Sequence, residues 1–371
     1  MLIGVPKEIK NNEFRVGLTP GSVREYVARG HKVLVETNAG VGIKASDQDY
    51  VAAGATIAPD AKTVFAQAEM IVKVKEPQAS EYAQLREGQI LYTYLHLAPD
   101  PEQTRGLIAS GVTAVAYETV TDDHNRLPLL APMSEVAGRL SIQAAAYALT
   151  APEGGRGLLM GGVPGVLPAK VLVIGGGVVG AHAAKMALGL GADVTILDRS
   201  LKRLGELDDI FSGHVKTRYS TFEALDEETD KADVVVGAVL IPGASAPKLV
   251  SRDMLRGMKD GAVLVDVSID QGGCFETSKP TTHAEPTFMV DGVVHYCVAN
   301  MPGAVPLTSS HALNNATLTM GLELADHGLD ALRRNPHLRN GLNVHKGQIT
   351  YQAVAEAISV DYVEPITALG G

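Results

Sequence analysis

The chain has 371 residues, 46% of them hydrophobic and 20% charged, with 32 basic against 42 acidic side chains for a formal net charge of −10. That length holds two ordinary domains with a large core, and the acidic balance disfavours nucleic acid or an anionic membrane as a partner. Its two cysteines, Cys274 and Cys297, form neither a CxxC pair nor a metal spacing, which suits free thiols in a reducing compartment. The opening MLIGVPKEIK has no long apolar stretch of the kind a signal peptide carries. The longest apolar run, Val234–Ile241, fits a buried strand rather than a membrane span. A soluble cytoplasmic protein is the expectation.

In chain order, Leu2–Val5 reads as a short strand and Lys7–Arg15 as a polar loop. Gly21–Ala28 has a helical pattern ended by Gly30, and Lys32–Glu36 is strand-like. Asp47–Ala53 and Ala61–Ala68 read as helices, and Met70–Lys75 as a strand closed by Glu76-Pro77. Ile90–His96 is a strand closed by Ala98-Pro99, Pro101–Ala109 a helix, and Val112–Tyr117 a strand ending at Glu118. This βαβα alternation predicts a doubly wound domain without a phosphate loop.

Ser134–Leu149 reads as a long apolar helix with Ser134 placed to cap it, and Ala151–Ala169 as a Gly- and Pro-rich loop. Lys170–Ile174 is an apolar, β-branched run, the pattern of a buried parallel strand. Gly175, Gly177 and Gly180 follow in the spacing G-x-G-x-x-G, then a helix over Ala181–Leu190 stopped by Gly191, then a strand Val194–Leu197 ending in Asp198. In such a unit the first glycine permits the tight turn, the second lets backbone N–H groups approach a pyrophosphate, and the third lets helix pack on strand. The positive end of the helix faces the phosphates, and Asp198 stands where an acid accepts hydrogen bonds from the adenosine ribose. An acid there also repels the 2′-phosphate of NADP, although Arg199 next door weakens the argument. A glycine-rich turn that binds nothing is the bland alternative.

Beyond Asp198, Leu201–Ile210 and Phe222–Ala232 read as helices, and Val215–Tyr219, Asp233–Val239, Ala262–Val267 and Val293–Val298 as strands. A turn over Asn300–Pro306 precedes a second long helix, Ser309–Asp326, and Leu342–Ile358 reads as a strand and then a helix. The fold class expected is α/β, with two doubly wound Rossmann-like domains. One comprises residues 1–129 plus 307–371 and the other residues 130–306, joined by the two long helices, with the ligand crevice between them.

In open α/β sheets ligands bind at the carboxyl ends of strands, which selects a short list of polar residues. Arg15 follows the first strand; Lys73 and Lys75, two apart on one strand, share a face; His96 and Glu118 end their strands; Asp266 and Asp270 lie at and beyond the end of another. Each has a plain structural reading: Arg15 as a surface charge, Lys73 at a wet edge, His96 as a hydrogen-bonded core histidine, Asp270 as a cap on Gly272-Gly273. Glu323 and His327, at i and i+4, form a possible metal pair but more readily an ordinary helix-surface pair. Together, a cation pair, a titratable His and an acid around a nicotinamide make a coherent amino- or hydroxy-acid dehydrogenase.

Several segments are similar to the family of L-alanine dehydrogenases and transhydrogenase NAD-binding subunits: KEIKNNEFRVGLTP, KVKEP, YTYLHLAPD, MSEVAGRLSIQAAA, VLVIGGGVVG with LDRSLKRLGELDDIF, VDVSIDQGGCFETSKPTTH and VANMPGAVPLTSSHALNNATL. The resemblance covers essentially the whole chain. It implies NAD-dependent, reversible oxidative deamination of L-alanine to pyruvate and ammonia. It implies Arg15 as ligand of the substrate carboxylate, Lys75 on the carboxylate or carbonyl oxygen, His96 as general acid/base and Asp270 as second catalytic residue. Besides Gly175, Gly177 and Gly180, it implies NAD contacts from Ser134, Val178, Val179, Asp198, Arg203, Ser220, Val239 and Leu240. Val267, Ser268, Ile269, Asp270, Lys279, Val298, Ala299, Asn300 and Met301 complete that set. A homohexamer, and metal at Glu323 and His327 in some relatives, also follow from the resemblance. A transhydrogenase-type hydride carrier with no small substrate, and an NAD-sensing module without turnover, stay open as alternatives.

Overall fold

The computed structural model describes residues 1–239 and 246–370. The chain divides into two compact units, Met1–Met133 with Val305–Gly371, and Ser134–Ala304. The first unit opens with β1 (Leu2–Val5), β2 (Lys32–Glu36), β3 (Thr56–Ala58), β4 (Met70–Val72), β5 (Ile90–Thr93) and β6 (Thr113–Ala116). The second contains β7 (Lys170–Ile174), β8 (Asp193–Asp198), β9 (Lys216–Tyr219), β10 (Val234–Gly237), β11 (Val263–Asp266), β12 (Thr287–Val290) and β13 (Val293–Tyr296). The tail adds β14 (Leu342–His345) and β15 (Gln348–Ile349) to the first unit.

The two sheets run β15-β14-β6-β5-β4-β1-β2-β3 and β12-β13-β11-β10-β7-β8-β9. In each, six strands are parallel in the order 3-2-1-4-5-6, the doubly wound order that places a binding crevice where the winding reverses. Antiparallel strands close one edge of each sheet: β14 and β15 beside β6, and β12 beside β13. Both faces of the second sheet are covered. Val171 and Val173 enter one apolar cluster, while the alternating Leu172 and Ile174 enter another. Two-sided burial explains the unbroken apolar runs in the sequence.

Several elements differ from the sequence reading. β4 stops at Val72 and β5 at Thr93, so Lys73, Lys75 and His96 lie beyond their strands rather than on them. Ser134 does not cap its helix, which runs Ala131–Ala148 and already includes Pro132 in its first turn. The nucleotide-side helix begins earlier than expected, at Val178, with Gly177 as its N-cap. β3, the antiparallel β12 and a short helix, Ala79–Tyr82, carried too little periodicity to be read. The second long helix, Pro306–His327, lies wholly in the first unit.

Candidate active site

In the first unit the switch point falls between β1 and β4, and the segments leaving β1, β4 and β5 carry Arg15, Lys75 and His96. Arg15 is 2% exposed. Its Nε and Nη2 donate to the two carboxylate oxygens of Glu13 at 2.6 and 2.5 Å, and Nη1 lies 3.1 Å from Met133 Sδ. Burial works against the guanidinium charge, but Glu13 outweighs it and keeps the group charged. The surface-charge reading of Arg15 therefore fails.

Lys73 and Lys75 do not share an environment. Lys73 is 0% exposed, its ammonium 3.0 Å from Glu8 and 2.7 Å from Glu81. Glu8 also accepts the Val74 N–H at 2.7 Å. Burial pushes the Glu8 carboxyl above its ordinary range, with Lys73 opposing. This compact network pins the segment after β4 instead of facing a wet edge. Lys75 is half-buried, its carbonyl taking the Thr93 hydroxyl at 3.0 Å. Against burial, Lys75 and Lys10 hold the neighbouring Glu76 carboxyl below its usual range.

His96 is exposed between buried Leu95 and Leu97, and its φ of 49° lies in the left-handed region. A non-glycine residue there carries about 1–3 kcal/mol of local strain, which surrounding structure must offset. The Glu118 carboxylate accepts the His96 N–H at 2.7 Å and the Leu95 N–H at 3.2 Å. The imidazole stacks on Tyr94, ring centroids 5.8 Å apart and planes 13° apart, and the Tyr94 hydroxyl donates to Leu129 O at 2.6 Å. His96 is thus no core histidine. Glu118 is recognisable in the sequence as a strand-end acid, but no spacing rule reveals its partners.

In the second unit Gly175 leaves β7 with φ +99°. A Cβ on Gly180 would sit 1.8 Å from the Gly175 carbonyl oxygen, so only glycine lets the helix Val178–Gly189 approach the strand. A Cβ on Gly177 would meet nothing within 4 Å; its open side lies at the helix's N-terminus, a cradle that fits the pyrophosphate of a dinucleotide. Val178 and Val179 form that helix's first turn. Asp198, at the end of β8, accepts the N–H groups of Gly176 and Ser200, each at 2.7 Å, and the Ser220 N–H meets its carbonyl at 2.9 Å. Arg203 Nε donates to Gly176 O at 2.6 Å and so braces the glycine turn.

The other strand ends continue this surface. Val239 follows β10, and its carbonyl takes the Ser268 hydroxyl at 2.7 Å. Leu240 lies outside the described residues. After β11, Val267 N–H donates to Gly237 O at 3.0 Å, and Ile269–Gln271 forms a 3-10 turn. Asp266 and Asp270 separate sharply here. Asp266 is fully buried, accepting the N–H groups of Ser268, Cys274 and Phe275 and the Ser278 hydroxyl; burial still raises its pKa. Asp270 is exposed, and its carboxylate lies 3.4 Å from the Asn300 N–H rather than capping Gly272-Gly273. Lys279 stands 4.3 Å over the Phe288 ring. Val298 bridges to Thr281, Ala299 N–H donates to Thr281 O, and Met301 is buried.

Ser134 belongs to the second unit as a residue of the helix Ala131–Ala148. Cys274 and Cys297 are free and buried, and burial pushes the Cys297 thiol up to about 12. Glu323 accepts Asn335 Nδ2 at 3.0 Å, and His327 is exposed. No group of three or more His, Cys, Asp or Glu side chains suited to a metal ion occurs among the described residues. No helix among them is long and apolar enough to cross a membrane. A cavity of about 350 Å³ opens at the amino ends of β7, β8 and β9, the opposite edge from the glycine turn. Its Lys216 is paired with Asp193 and its Arg218 with Glu228.

Comparison with known proteins gives one consistent answer. Residues 4–137 match the family described as Alanine dehydrogenase/PNT, N-terminal domain, and residues 141–352 match Alanine dehydrogenase/PNT, C-terminal domain. The chain is 60% identical to an alanine dehydrogenase of Halomonas elongata over 371 residues, all of both chains. It is 54% identical over 370 residues to an alanine dehydrogenase of Mycobacterium tuberculosis, again over all of both chains. A solved L-alanine dehydrogenase superposes with a TM-score of 0.94 at 52% identity, over 97% of this chain and 99% of that one. A transhydrogenase structure from Sinorhizobium meliloti gives a TM-score of 0.80 at 26% identity, over 95% of this chain and 100% of that one.

Proposed function

The chain belongs to the alanine dehydrogenase/PNT family, and on that premise we propose how its residues carry out the reversible oxidative deamination of L-alanine to pyruvate and ammonia. It is an NAD-dependent oxidoreductase with a Rossmann-like fold. The observation that carries the residue assignment is the delivery of Arg15, Lys75 and His96 from the carboxyl ends of neighbouring strands β1, β4 and β5.

NAD, when bound, supplies the acceptor for the hydride leaving the substrate Cα. Gly175, Gly177, Gly180, Val178, Val179, Asp198, Arg203, Ser220, Val239, Leu240, Val267–Asp270, Lys279, Val298–Met301 and Ser134 form its binding surface. Asp198 selects against a 2′-phosphate. Arg15 binds the substrate carboxylate, and Glu13 fixes the guanidinium plane in advance. Lys75 stabilises negative charge at the substrate oxygen. His96 takes a proton from the water that attacks the iminium carbon, then returns it as the carbinolamine breaks down. Asp270 holds the departing amino group. Water enters as a reactant, so His96 gains from its exposed position. The protein acts in amino-acid catabolism as a cytoplasmic homohexamer, and its buried free thiols suit a reducing compartment.

The transhydrogenase reading is weaker, because a carrier that passes hydride only between nucleotides has no use for this set of substrate-side residues. One assay tests the proposal. L-Alanine with NAD⁺ is expected to yield NADH and ammonia, and His96→Ala to lower kcat by about 10²–10⁴ while NADH still binds. Near-normal turnover by His96→Ala would sink the acid/base role.

A further inference from the structure

We propose that Glu118 is a positioning residue that holds the His96 backbone in its left-handed conformation and thereby aims the imidazole. The inference rests on His96 being the acid/base of the reaction proposed above.

The geometry sets up a specific need. β5 and β6 pair in parallel up to Thr93 opposite Ala116. Past that point the chain turns sharply, and the consecutive N–H groups of Leu95 and His96 have left the ladder. Glu118 sits in the 3-10 turn Tyr117–Thr119 that follows β6. Its carboxylate replaces the missing ladder partners: Oε1 takes His96 N–H at 2.7 Å and Leu95 N–H at 3.2 Å, and Oε2 lies 3.3 Å from Leu95 N. The loop's carbonyls are tied as well, one in this same peptide and one beyond it. Gln103 Nε2 donates to Leu95 O at 3.0 Å, and the Thr104 hydroxyl donates to Leu97 O at 3.0 Å.

The peptide between Leu95 and His96 is thus held at both ends, by Gln103 on its carbonyl and by Glu118 on its N–H, and Glu118 supplies the N–H acceptor that fixes the start of His96. At φ 49° an L-residue relaxes toward negative φ once its N–H partner is gone. Such a flip carries the imidazole off the Tyr94 ring. The role asks for an acceptor oxygen and not for a charge, and that distinguishes it from an electrostatic effect of the carboxylate on catalysis.

The experiment uses the full-length enzyme and compares Glu118→Ala with Glu118→Gln, each alone and with His96→Ala. Glu118→Ala is expected to lower kcat about 10–100-fold, since small misplacements of a reacting group are felt at that level. Its Kd for NADH, from fluorescence titration, should stay within about twofold of wild type. Glu118→Gln keeps an acceptor and should retain kcat within about threefold. In the His96→Ala background, Glu118→Ala should add no further loss. Wild-type kcat in Glu118→Ala, equal damage from Ala and Gln, or a fully multiplicative double variant each overturns the proposal.

A crystal structure of Glu118→Ala reads the backbone without reference to turnover. A negative φ at His96 is expected, and a retained positive φ overturns the clamp whatever His96 does chemically. Near-normal turnover in His96→Ala overturns the acid/base reading instead, so the two failures are told apart. Should Glu118→Ala fail to fold, Glu118→Met fills the same space without an acceptor and takes its place in every arm.

Discussion

Arg15 and Glu13 face each other as a buried two-pronged pair, Nε to Oε1 at 2.6 Å and Nη2 to Oε2 at 2.5 Å. A lysine at position 15 cannot satisfy Glu13 and a substrate carboxylate with the same planar fork. Arg15→Lys is therefore expected to raise KM for L-alanine by about 10–100-fold, the scale of a charged, bidentate contact. NADH affinity should not move. Steady-state kinetics beside a fluorescence titration checks this, and an unchanged KM would place the carboxylate elsewhere.

The two lysines after β4 are expected to fail in different ways. Removing Lys73 leaves Glu8 and Glu81 buried together without their cation. Breaking such a network by deleting one partner typically costs about 3–5 kcal/mol. Lys73→Met should accordingly lower the urea midpoint of unfolding strongly, and Lys75→Met should mainly lower turnover. Similar losses of stability in both would contradict the separation.

His295 gives the fold a dependence on pH. It is fully buried in β13, where its Nδ1–H donates to Val293 O at 3.0 Å and its Nε2 accepts the Thr277 hydroxyl at 2.7 Å. Burial holds its pKa below the ordinary value, against the hydrogen bond to the Val293 carbonyl and the charge of Asp291, with Lys279 adding a little to the shift. As pH falls through about 6.5 the unfolded chain takes up this proton before the folded one does. The contribution is fully present above that pH and is lost as pH falls toward the depressed folded value. Thermal unfolding at pH 7.5 and 5.5 should show a smaller drop for His295→Gln than for wild type. His345, also depressed by burial, titrates alike in both.

What the sequence makes legible is local. The glycine spacing could be read because Gly175 and Gly180 answer to their own turn and their own strand. The alternation of strands and helices likewise exposed two doubly wound sheets. The ends of β4 and β5 were hidden because apolar residues continue past the last ladder hydrogen bonds, in VKVKEP and YTYLHL. The buried site of Lys73 is not legible in the sequence, because its environment is made by Glu8 and Glu81, which no spacing on β4 connects to it. Ser134 has the chemistry of a cap, yet the helix starts three residues earlier, at Ala131. Glu118 could be placed at the end of a strand, but its carboxylate's partners depend on how far the neighbouring strand runs.

The pairing of β14 with β6 bears on how the protein is made. Leu342 lies opposite Val115, so the first sheet is closed by residues near the end of the chain, whereas Ser134–Ala304 holds all seven strands of the second. On the ribosome, the second unit emerges whole while β6 still presents an unpaired edge. Such edges are templates for mispairing with other nascent chains. A polypeptide released before Leu342 would keep its nucleotide-binding sheet complete and carry an open seam on the sheet whose strands β1 and β5 lead into the segments bearing Arg15 and His96.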